Sequence, residues 1–565
     1  MSVQAGLRFD PPGPGSWALD ATHFTRPVTR FVAEIFPGQF ARGFGEGLKR
    51  YGLLLENLDY RFAASCPYFC LRPVGAPPDA VGHPPRHVWD ELMVSHPEIR
   101  ARLAASAAAL EQKIWRQDLE SWDREVKPAA IRDHLALQSV DPSSLSADAL
   151  LAHLERCREH AKRLIYVHHR FNVPALLPVG DFLAHAQAWT GRPATELLAL
   201  LRGASKVSRG AADELDRVRR AVTADGRARA LLASSGAPRD VLASLRALPG
   251  EVGAAVGAYV DVVGYRLANG MDVGEPYALE MPEVLLQAMR SVVDPAVARP
   301  DADVREAATA EIRDGVPSAH RQAFDDLLAE ARGVYRLRDE RGIYCDIWAF
   351  GLARRAMLAA GERLVRTGRL AHAAEFVEAD YEEMQALIRG TDGPTADELA
   401  QRARHRAQTT WADVPAMLGS PPGDPLPAEW LPPSAARAEV AIRLCIQAIL
   451  ATPPPRTEAR SVRGVGASPG VYEGPARLIH GTADFTRIRH GDVLVTTSTS
   501  AAFNIVLPML GAIVTDRGGL LSHAAIVARE YGIPAVVGCT DATRQIRDGA
   551  RVRVDGRAGE AMIVQ

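Results

Sequence analysis

The chain has 565 residues, with 47% hydrophobic and 24% charged side chains, a composition typical of folded water-soluble proteins and a length sufficient for several domains. Lysine and arginine together number 66, against 68 aspartate and glutamate residues, which gives a net charge of −2. This balance gives no electrostatic reason to expect nucleic acid or an anionic membrane surface as a partner.

The other bulk features favour a cytoplasmic location. No run of 18 apolar residues is present, so no membrane span is expected, and the N-terminus lacks a basic segment followed by an apolar one. The six cysteines are scattered along the chain, which favours reduced thiols over a disulfide framework. Cys66 and Cys70 are close in sequence, but no second Cys/His pair has zinc-site spacing, so we expect no metal site.

The N-terminal part begins with a segment rich in proline and glycine over residues 1–16, which we expect to be extended. The apolar spacing after it predicts one or two helices, and Pro73–Pro85 predicts a loop. His23 and Arg26 stand just before Pro27. That grouping is compatible with an anion or substrate contact, and equally with a structural turn whose polar groups are satisfied.

From about residue 88 to residue 450, long segments rich in Ala, Leu, Arg and Glu predict a large helical region. Its clearest helix begins after Ser146, a favourable N-cap, and keeps one apolar face as far as His168. His169 is rotated by about 100° onto the flank, and Pro174 is expected to end the helix. A histidine on an apolar face is more often a core residue with satisfied hydrogen bonds than a catalyst, so both interpretations of His168 stay open.

The rest of the helical region carries charged groups that are ambiguous by themselves, because such groups usually decorate solvated helix faces. Arg266, Glu280 and Arg338 belong to this set. Two proline-rich stretches follow, at 420–434 and 452–456, on either side of an apolar helix at 436–451. Such stretches are typical of semi-rigid spacers.

The most informative stretch lies near the C-terminus. Apolar residues 512–514 predict a strand, Gly518 and Gly519 predict a tight turn, and Ser522 is the expected N-cap of a helix whose first turn contains His523. A glycine and a proline then end this helix ahead of another short apolar strand. The predicted unit is strand, glycine turn, helix and strand.

This arrangement gives His523 a specific chemical environment. The N-terminus of a helix favours a bound anion, because its first backbone N–H groups have no intrahelical partner and the helix dipole is positive there. An unprotonated imidazole is a nucleophile, and a phosphoryl group that it accepts keeps a high transfer potential. A histidine that merely starts a helix is the alternative for an isolated residue, and the surrounding pattern decides against it.

Residues Gly518 to Val536 follow the pattern Gly-Gly-x-x-Ser-His-x-Ala-x-x-Ala-Arg-Glu-x-Gly-x-Pro-Ala-Val. This pattern resembles the signature of the mobile phosphohistidine domain of the phosphoenolpyruvate-utilising enzymes, which include pyruvate phosphate dikinase, phosphoenolpyruvate synthase, rifampicin phosphotransferase and phenylphosphate synthase. Pyruvate phosphate dikinase has a threonine two residues before the histidine, where this chain has Leu521. A regulatory phosphothreonine at that point is therefore not expected.

The resemblance implies a multidomain fold. A large, mainly α-helical acceptor-substrate domain is expected over 1–435, a helix and proline-rich hinge over 436–462, and a small α/β swivelling phosphohistidine domain over 463–565. It implies further that His523 is the catalytic residue. The groups expected to stabilise its phosphoryl group are Gly518, Gly519, Ser522 and Arg529.

The resemblance also implies a partner. Full-length relatives carry an ATP-grasp nucleotide-binding domain, whose glycine-rich signals are not visible in this sequence, and those that use pyruvate carry a (β/α)-barrel after the histidine domain, for which this sequence leaves no room. We therefore expect ATP and Mg²⁺ to act through a separate ATP-grasp-type subunit, with a phosphohistidine intermediate on this chain.

The helical region resembles the acceptor domain of the rifampicin phosphotransferase type less specifically, through the order of its charged elements. Tyr265 takes the place of a histidine of those enzymes. The resemblance implies that several polar groups approach one acceptor cavity. These candidates are His23, Arg26, His168, His169, Arg266, Glu280 and Arg338.

We therefore expect a dikinase-type phosphotransferase subunit that receives a phosphoryl group on His523 and transfers it to a hydroxyl of a small, phenol-like substrate. Two alternatives stay open. One is a non-catalytic phosphohistidine relay or scaffold. The other is an ATP-dependent ligase that condenses its substrates through a phosphorylated intermediate.

Overall fold

The computed structural model describes residues 9–205, 212–293, 303–450, 461–499, 503 and 506–564. The chain divides into two compact units. Unit 1 comprises Met1–Leu177, Met271–Gly274 and Tyr344–Ile442, and unit 2 comprises Pro178–Gly270, Glu275–Ile343 and Arg443–Gln565. The predicted domain boundaries at 435 and 463 stay a prediction, and the proline-rich stretch 452–456 lies outside the described residues.

Helices predominate in the described residues. The α-helices, numbered in chain order, are α1 Arg30–Arg50, α2 Arg86–Ser95, α3 Pro97–Gln112, α4 Trp115–Ser121, α5 Lys127–Gln138, α6 Ala147–Arg170, α7 Asn172–Thr190, α8 Ala194–Ala199, α9 Ala212–Ala224, α10 Gly226–Ala233, α11 Pro238–Arg246, α12 Glu251–Val263, α13 Pro282–Val293, α14 Asp303–Asp314, α15 Arg321–Tyr335, α16 Leu337–Tyr344, α17 Asp346–Arg366, α18 Tyr381–Arg389, α19 Ala396–Gln408, α20 Pro433–Leu450, α21 His523–Tyr531 and α22 Ala542–Gln545. Within the described ranges, no helix combines the length and apolar character needed to cross a membrane.

The strands form one sheet in each unit. They are β1 Ser16–Leu19, β2 Leu55–Ala63, β3 Cys66–Pro73, β4 Met417–Gly419, β5 Ser461–Arg463, β6 Val465–Ser468, β7 Val471–Ile479, β8 Asp492–Thr496, β9 Leu510–Thr515, β10 Ala535–Val537, β11 Arg551–Asp555 and β12 Glu560–Ile563. The sheet of unit 1 has the order β2-β3-β1-β4, and the sheet of unit 2 has the order β5-β12-β11-β7-β8-β9-β10-β6. In unit 2, β7, β8, β9 and β10 are parallel to one another, and the outer pairings are antiparallel.

The sheet of unit 1 corrects one prediction, because β2 and β3 form a hairpin in a region where the apolar spacing had favoured helices. Tyr60 and Phe62 alternate with charged residues along β2, which is the period-two pattern of a strand. The turn consists of Ala64 and Ser65, with φ of 49° and 63°. Two-residue hairpin turns of this type have positive φ angles at both central residues. Glycine or asparagine usually occupies these positions.

In unit 1, α6 begins as predicted: the hydroxyl of Ser146 accepts a hydrogen bond from the Ala149 N–H at 3.2 Å. The helix ends at Arg170, and Pro174 lies in the first turn of α7 instead of ending α6. Helix α1 packs closely on α6. A Cβ at Gly43 would lie 2.3 Å from the carbonyl oxygen of Tyr166, so only glycine permits this approach.

In unit 2, both faces of the parallel strands are buried. Val493 and Val495 on β8 belong to one apolar cluster, with residues of β7, β9, β11 and α22. Leu494, between them, belongs to a second cluster that includes side chains of α9, α11, α12, α13 and α21. This two-sided covering is expected for parallel strands, and it holds the carboxyl ends of β8 and β9 in one place.

Candidate active site

His523 is the first residue of α21, as the sequence predicted. The chain runs from β9 through a turn into α21, and Gly532, with φ of 67°, ends the helix before β10. The first intrahelical hydrogen bond runs from the Ile526 N–H to the Ser522 carbonyl at 3.0 Å. The N–H groups of His523 and the two residues after it therefore belong to the helix N-terminus, where an anion is favoured.

The two glycines before His523 make room for the turn. Gly518 has φ of 100°, and a Cβ at that position would lie 2.8 Å from the Cβ and the hydroxyl oxygen of Ser522. A Cβ at Gly519 would lie 2.3 Å from the carbonyl oxygen of Ala448 at the end of α20. The Gly519 N–H donates to the Ile449 carbonyl at 3.1 Å. In this structure Gly519 therefore provides close packing on α20, rather than the predicted donor to a phosphoryl group.

The imidazole of His523 is half-buried, and its Nδ1 lies 2.9 Å from the hydroxyl oxygen of Thr499. Burial lowers the pKa of His523 to about 4; nearby Asp339 opposes this effect and Arg338 adds to it. The side chain is therefore neutral at pH 7. A neutral imidazole that is hydrogen-bonded through Nδ1 can act as a nucleophile through Nε2.

Arg338 is the acceptor-site candidate that lies next to this histidine. Its Nε–H donates to the carbonyl oxygen of Leu521 at 2.7 Å, two residues before His523. Its neighbour Asp339 is buried, and both side chains are close enough to act on the pKa of His523. Helix α16 therefore places one cation and one anion beside the imidazole.

Ser522 has the position of the N-cap, but its hydroxyl makes no capping hydrogen bond. Its Oγ is buried and has no hydrogen-bond partner among the described residues. A buried hydroxyl in this state is destabilising unless it gains a partner. Since it lies directly before His523, a phosphoryl group on the imidazole is a suitable acceptor for its O–H.

Arg529 is placed differently from the prediction. Its guanidinium donates to the carbonyl oxygens of Ala467 and Leu520, at 2.9 and 2.7 Å, and to the hydroxyl of Tyr335 at 2.9 Å. The side chain is only 2% exposed. These contacts join α21 to β6 and α15, which gives Arg529 a structural role. Its Nε is buried and has no hydrogen-bond partner among the described residues, and its role as a phosphoryl ligand stays a prediction.

Two acceptor-site candidates lie in the turn before α1 in unit 1. His23 is exposed, and its Nδ1 lies 2.9 Å from the carboxylate of Asp20, which also accepts a hydrogen bond from the Tyr60 hydroxyl at 2.7 Å. Burial opposes ionisation of Asp20, yet its contacts with His23 and Tyr60 bring the pKa down to about 2. This network favours the structural interpretation of the His23 turn, and Arg26 is half-buried in the same turn.

His168 and His169 lie together in unit 1 and are both buried. The prediction that His169 turns onto the flank was wrong, because the two rings stack with centroids 4.4 Å apart. His168 Nδ1 is 2.8 Å from the carboxylate of Asp346, the first residue of α17. One ligand atom from each of these three residues lies within 4.8 Å of the others, so they form a possible metal-binding group that the sequence did not predict.

The other two candidates lie in unit 2, near the short 3-10 turn Ala278–Glu280. Glu280 accepts a hydrogen bond from the Tyr277 N–H at 2.9 Å and so caps this turn, which is a structural role. Arg266 is half-buried, and its carbonyl accepts from the Ala278 N–H at 3.0 Å. The predicted set is thus divided: His23, Arg26, His168 and His169 belong to unit 1, and Arg266, Glu280 and Arg338 to unit 2.

Sequence reasoning missed Thr499 and Asp346. Thr499 follows β8 in a run of threonine and serine, and polar residues at the carboxyl end of a parallel strand are a usable signal for a site. Asp346 lies 178 positions after its partner His168, and nothing local in the sequence indicates that contact. The six cysteines are buried, and none of them forms a disulfide.

Comparison with known proteins agrees with this geometry. The profile of the "PEP-utilising enzyme, mobile domain" matches residues 488–559, which include His523, and the profile of the "Rifampicin phosphotransferase fourth domain" matches residues 175–339. The uncharacterised phosphotransferase YvkC of Bacillus subtilis is 31% identical over 43% of this chain, and the rifampicin phosphotransferase of Streptomyces sviceus is 29% identical over 57%. A probable phosphoenolpyruvate synthase of Archaeoglobus fulgidus is 45% identical over 17%.

The chain spans only part of these relatives, namely 27%, 36% and 13% of their respective lengths. A solved structure of Enzyme I covers 51% of this chain and 72% of its own, at 14% identity, but its TM-score of 0.15 is too low to support any argument about the fold. The two profile matches cover separate parts of the chain and agree with the resemblance found in the sequence. The chain therefore contains one region similar to the mobile domain of the phosphoenolpyruvate-utilising enzymes, which includes His523, and a second region similar to the fourth domain of the rifampicin phosphotransferases.

Proposed function

We propose that this chain is a phosphotransferase component in which His523 accepts a phosphoryl group and passes it to a hydroxyl of a small substrate. The observation that carries the proposal is the placement of His523: a neutral imidazole at the N-terminus of α21, with Nδ1 held by Thr499. The match of the surrounding residues to the mobile domain of the phosphoenolpyruvate-utilising enzymes supports it.

In the first half-reaction, the lone pair of His523 Nε2 attacks the phosphorus of the donor. An N–P bond forms, the P–O bond to the nucleotide breaks, and the nucleotide leaves with the electron pair. The imidazole keeps its proton on Nδ1, where the Thr499 oxygen accepts it. The Ser522 hydroxyl and the first N–H groups of α21 stabilise the phosphoryl oxygens.

In the second half-reaction, the oxygen of the acceptor hydroxyl attacks the same phosphorus. The O–P bond forms, the N–P bond breaks, and the hydroxyl proton passes to a base. Phosphoryl transfer depends mainly on positioning and charge neutralisation, so Arg338, half-buried beside Leu521 and His523, is a suitable cation for this step. His168, whose Nδ1 faces the buried carboxylate of Asp346, is the proposed hydroxyl-binding residue.

We propose that an ATP-grasp-type nucleotide-binding subunit supplies the phosphoryl group, using ATP and Mg²⁺, and that the mobile domain swivels between donor and acceptor. The proposed acceptor is a small hydroxylated, phenol-like molecule, giving an aryl phosphate. A relative named rifampicin phosphotransferase is compatible with a hydroxylated organic acceptor.

The test separates the two half-reactions. The full-length chain is incubated with ATP, Mg²⁺ and a candidate ATP-grasp protein, and intact-mass spectrometry counts the phosphoryl groups. We expect one acid-labile phosphoryl group per chain. The phosphoenzyme is then desalted and mixed with a panel of phenols and alcohols, and loss of the group is matched to a phosphorylated product.

The matched control is His490→Ala, which removes an exposed histidine from unit 2. We expect His523→Ala to fold and to lose the phosphoryl group, whereas His490→Ala keeps it. A phosphoryl group that persists in His523→Ala would refute the assignment of the carrier. A phosphoenzyme that passes its group to another protein but to no small hydroxyl compound would instead identify a relay.

A further inference from the structure

The buried group formed by His168, His169 and Asp346 lies outside the phosphohistidine site and has the composition of a metal site. Two imidazoles and one carboxylate are the ligands of several zinc and iron enzymes, in which the remaining coordination positions stay open to water or substrate. We propose that these three residues bind one divalent transition-metal ion of the Zn²⁺ class, with an open position for an oxygen ligand. This proposal does not depend on phosphoryl transfer.

The first argument is the burial of the three groups. Asp346 is 0% exposed, His169 is 5% exposed and His168 is 9% exposed. A carboxylate at this depth is costly unless a cation compensates its charge. Protonated His168 is one such cation, but it would account for only one of the two imidazoles. A metal ion compensates the carboxylate and uses both rings.

The second argument is the convergence of the two histidines. Neighbouring residues on a helix normally point about 100° apart. Here the rings of His168 and His169 lie nearly parallel, with an interplanar angle of 26°, and Asp346 approaches from α17. A histidine–aspartate pair that orients a general base uses one histidine, whereas a metal site of this composition uses both rings.

The third argument is that the ligands are themselves held in place. The Ile347 N–H donates to Asp346 Oδ1 at 3.1 Å, which leaves Oδ2 directed at His168. The side-chain amide of Asn172 is 3.3 Å from His169 Nδ1. With that amide turned so that its oxygen accepts the Nδ1–H, Nε2 becomes the ligand atom. Outer contacts of this kind are typical of metal-ligating histidines and carboxylates.

The surroundings and dimensions also fit. Phe40 and Phe36 pack on the His169 ring, with centroids 4.2 and 5.6 Å away, and provide an apolar wall. Zinc bonds of about 2.1 Å allow ligand atoms up to about 4.2 Å apart. The ligand atoms here lie within 4.8 Å of one another, so closure on an ion needs side-chain shifts of less than about 1 Å. The ion would take the place of the proton between His168 Nδ1 and Asp346 Oδ2.

The experiment uses the full-length chain after treatment with a chelator. Isothermal titration with Zn²⁺ measures stoichiometry and affinity, and Co²⁺ provides visible absorption bands that report a protein-bound ion. We expect one ion per chain. His169→Ala and Asp346→Asn should each weaken binding by about 100-fold or more, and Asn172→Ala, which removes only an outer contact, by about 10-fold.

The matched control is His185→Ala. His185 also faces a buried aspartate, with Nδ1 3.3 Å from Asp181 Oδ1, but among the described residues this pair is not part of a possible metal-binding group. This variant should bind the ion like the wild type. Equal zinc binding by all variants would mean adventitious surface binding only and would overturn the proposal. The absence of Co²⁺ absorption bands in the wild type would also overturn the proposal. This measurement needs no variant, so it decides the question even if Asp346→Asn fails to fold.

Discussion

Arg529 and Ser522 give a sharp test of the site, because the structure assigns them opposite roles. Both belong to the sequence signature and both were predicted to stabilise the phosphoryl group. In the structure, both terminal nitrogens of Arg529 donate to protein oxygens, whereas the Ser522 hydroxyl has no partner among the described residues. Arg529→Met should therefore affect stability, and Ser522→Ala should affect chemistry.

The magnitude for Arg529→Met follows from its contacts. The guanidinium makes hydrogen bonds to the Ala467 and Leu520 carbonyls and to the Tyr335 hydroxyl, and each bond from a charged donor contributes about 1.5–3 kcal/mol. These contributions are not additive, and methionine recovers part of the packing. We expect a loss of about 3–5 kcal/mol in the local stability of α21, with two buried carbonyls left unsatisfied.

For Ser522→Ala the expectation is reversed. Removing a hydroxyl that has no partner among the described residues should change the free energy of unfolding by no more than about 0.5 kcal/mol. A hydrogen bond to a charged group contributes about 1.5–3 kcal/mol, and about 1.4 kcal/mol corresponds to a factor of ten in rate. Removing the Ser522 donor to the phosphoryl group should therefore slow phosphorylation of His523 by about 10- to 100-fold.

Hydrogen exchange read by mass spectrometry is the suitable stability assay, because it reports α21 by itself and does not assume two-state unfolding of a chain with two compact units. The initial rate of His523 phosphorylation by the ATP-grasp partner, read from the peptide that contains His523, reports the chemistry. The reasoning would be refuted if Arg529→Met kept wild-type exchange in α21 while it lost phosphorylation. It would also be refuted if Ser522→Ala accelerated exchange in α21 and left the phosphorylation rate unchanged.

Four further outcomes are expected. The pKa of His523 should be about 4 when it is measured by NMR on the histidine-labelled chain, with His523→Ala to identify the signal. At pH 5.5 this pKa leaves about 97% of the imidazole neutral, whereas the ordinary pKa of 6.5 would leave about 9% neutral. A titration midpoint above pH 6 would contradict the role given to burial. Thr499→Val removes the partner of Nδ1 and should slow phosphorylation by about tenfold at unchanged stability. Burial raises the pKa of Glu530 to about 7, against the effect of its backbone hydrogen bonds. Its contribution to stability is therefore present below pH 4.5 and is lost as the pH rises through 7. Glu530→Gln should make the urea concentration at the unfolding midpoint depend less on pH between pH 4.5 and 7. His168→Ala should leave phosphorylation of His523 intact and slow transfer from the preformed phosphoenzyme by about 100-fold, whereas lower thermal stability with unchanged transfer would place His168 in the core.

The strand–turn–helix–strand unit around His523 could be predicted because its signals are local. Gly518 allows a positive φ that other residues rarely adopt, Ser522 has the extended backbone of an N-cap, and Gly532 ends the helix in the left-handed conformation. Each of these signals acts within a few residues of its position. They therefore fix the position of His523 at the helix start without any knowledge of the rest of the fold.

The hairpin of β2 and β3 was missed for the opposite reason. Its turn has the geometry that normally requires glycine or asparagine, but Ala64 and Ser65 occupy it, so the usual sequence signal is absent. Its second strand, β3, pairs with β1, which also pairs with β4 almost 400 residues later. Contacts that close over such distances have no signature in a local pattern.

The contacts of individual side chains could not be predicted for the same reason. The sequence shows that Arg529 follows the signature, but not that Ala467, Leu520 and Tyr335 supply acceptors for its guanidinium. It shows two adjacent histidines at 168 and 169, but not the carboxylate that faces them. Residue type and spacing predict which chemistry is available at a position, while the partner that selects one use comes from the tertiary fold.

Swivelling of the mobile domain remains a prediction, and the packing within unit 2 limits the form it can take. Helix α13 contacts the 3-10 turns Thr482–Arg487 and Leu507–Met509, and its side chains share an apolar cluster with β8 and α21. Gln287 on α13 also donates to the Ile488 carbonyl. Separating the sheet from α13 would expose that apolar surface to water, at a cost of about 25 cal/mol for each Å². A movement that carries α13 together with the sheet avoids this cost, and on this argument the moving body begins well before residue 463.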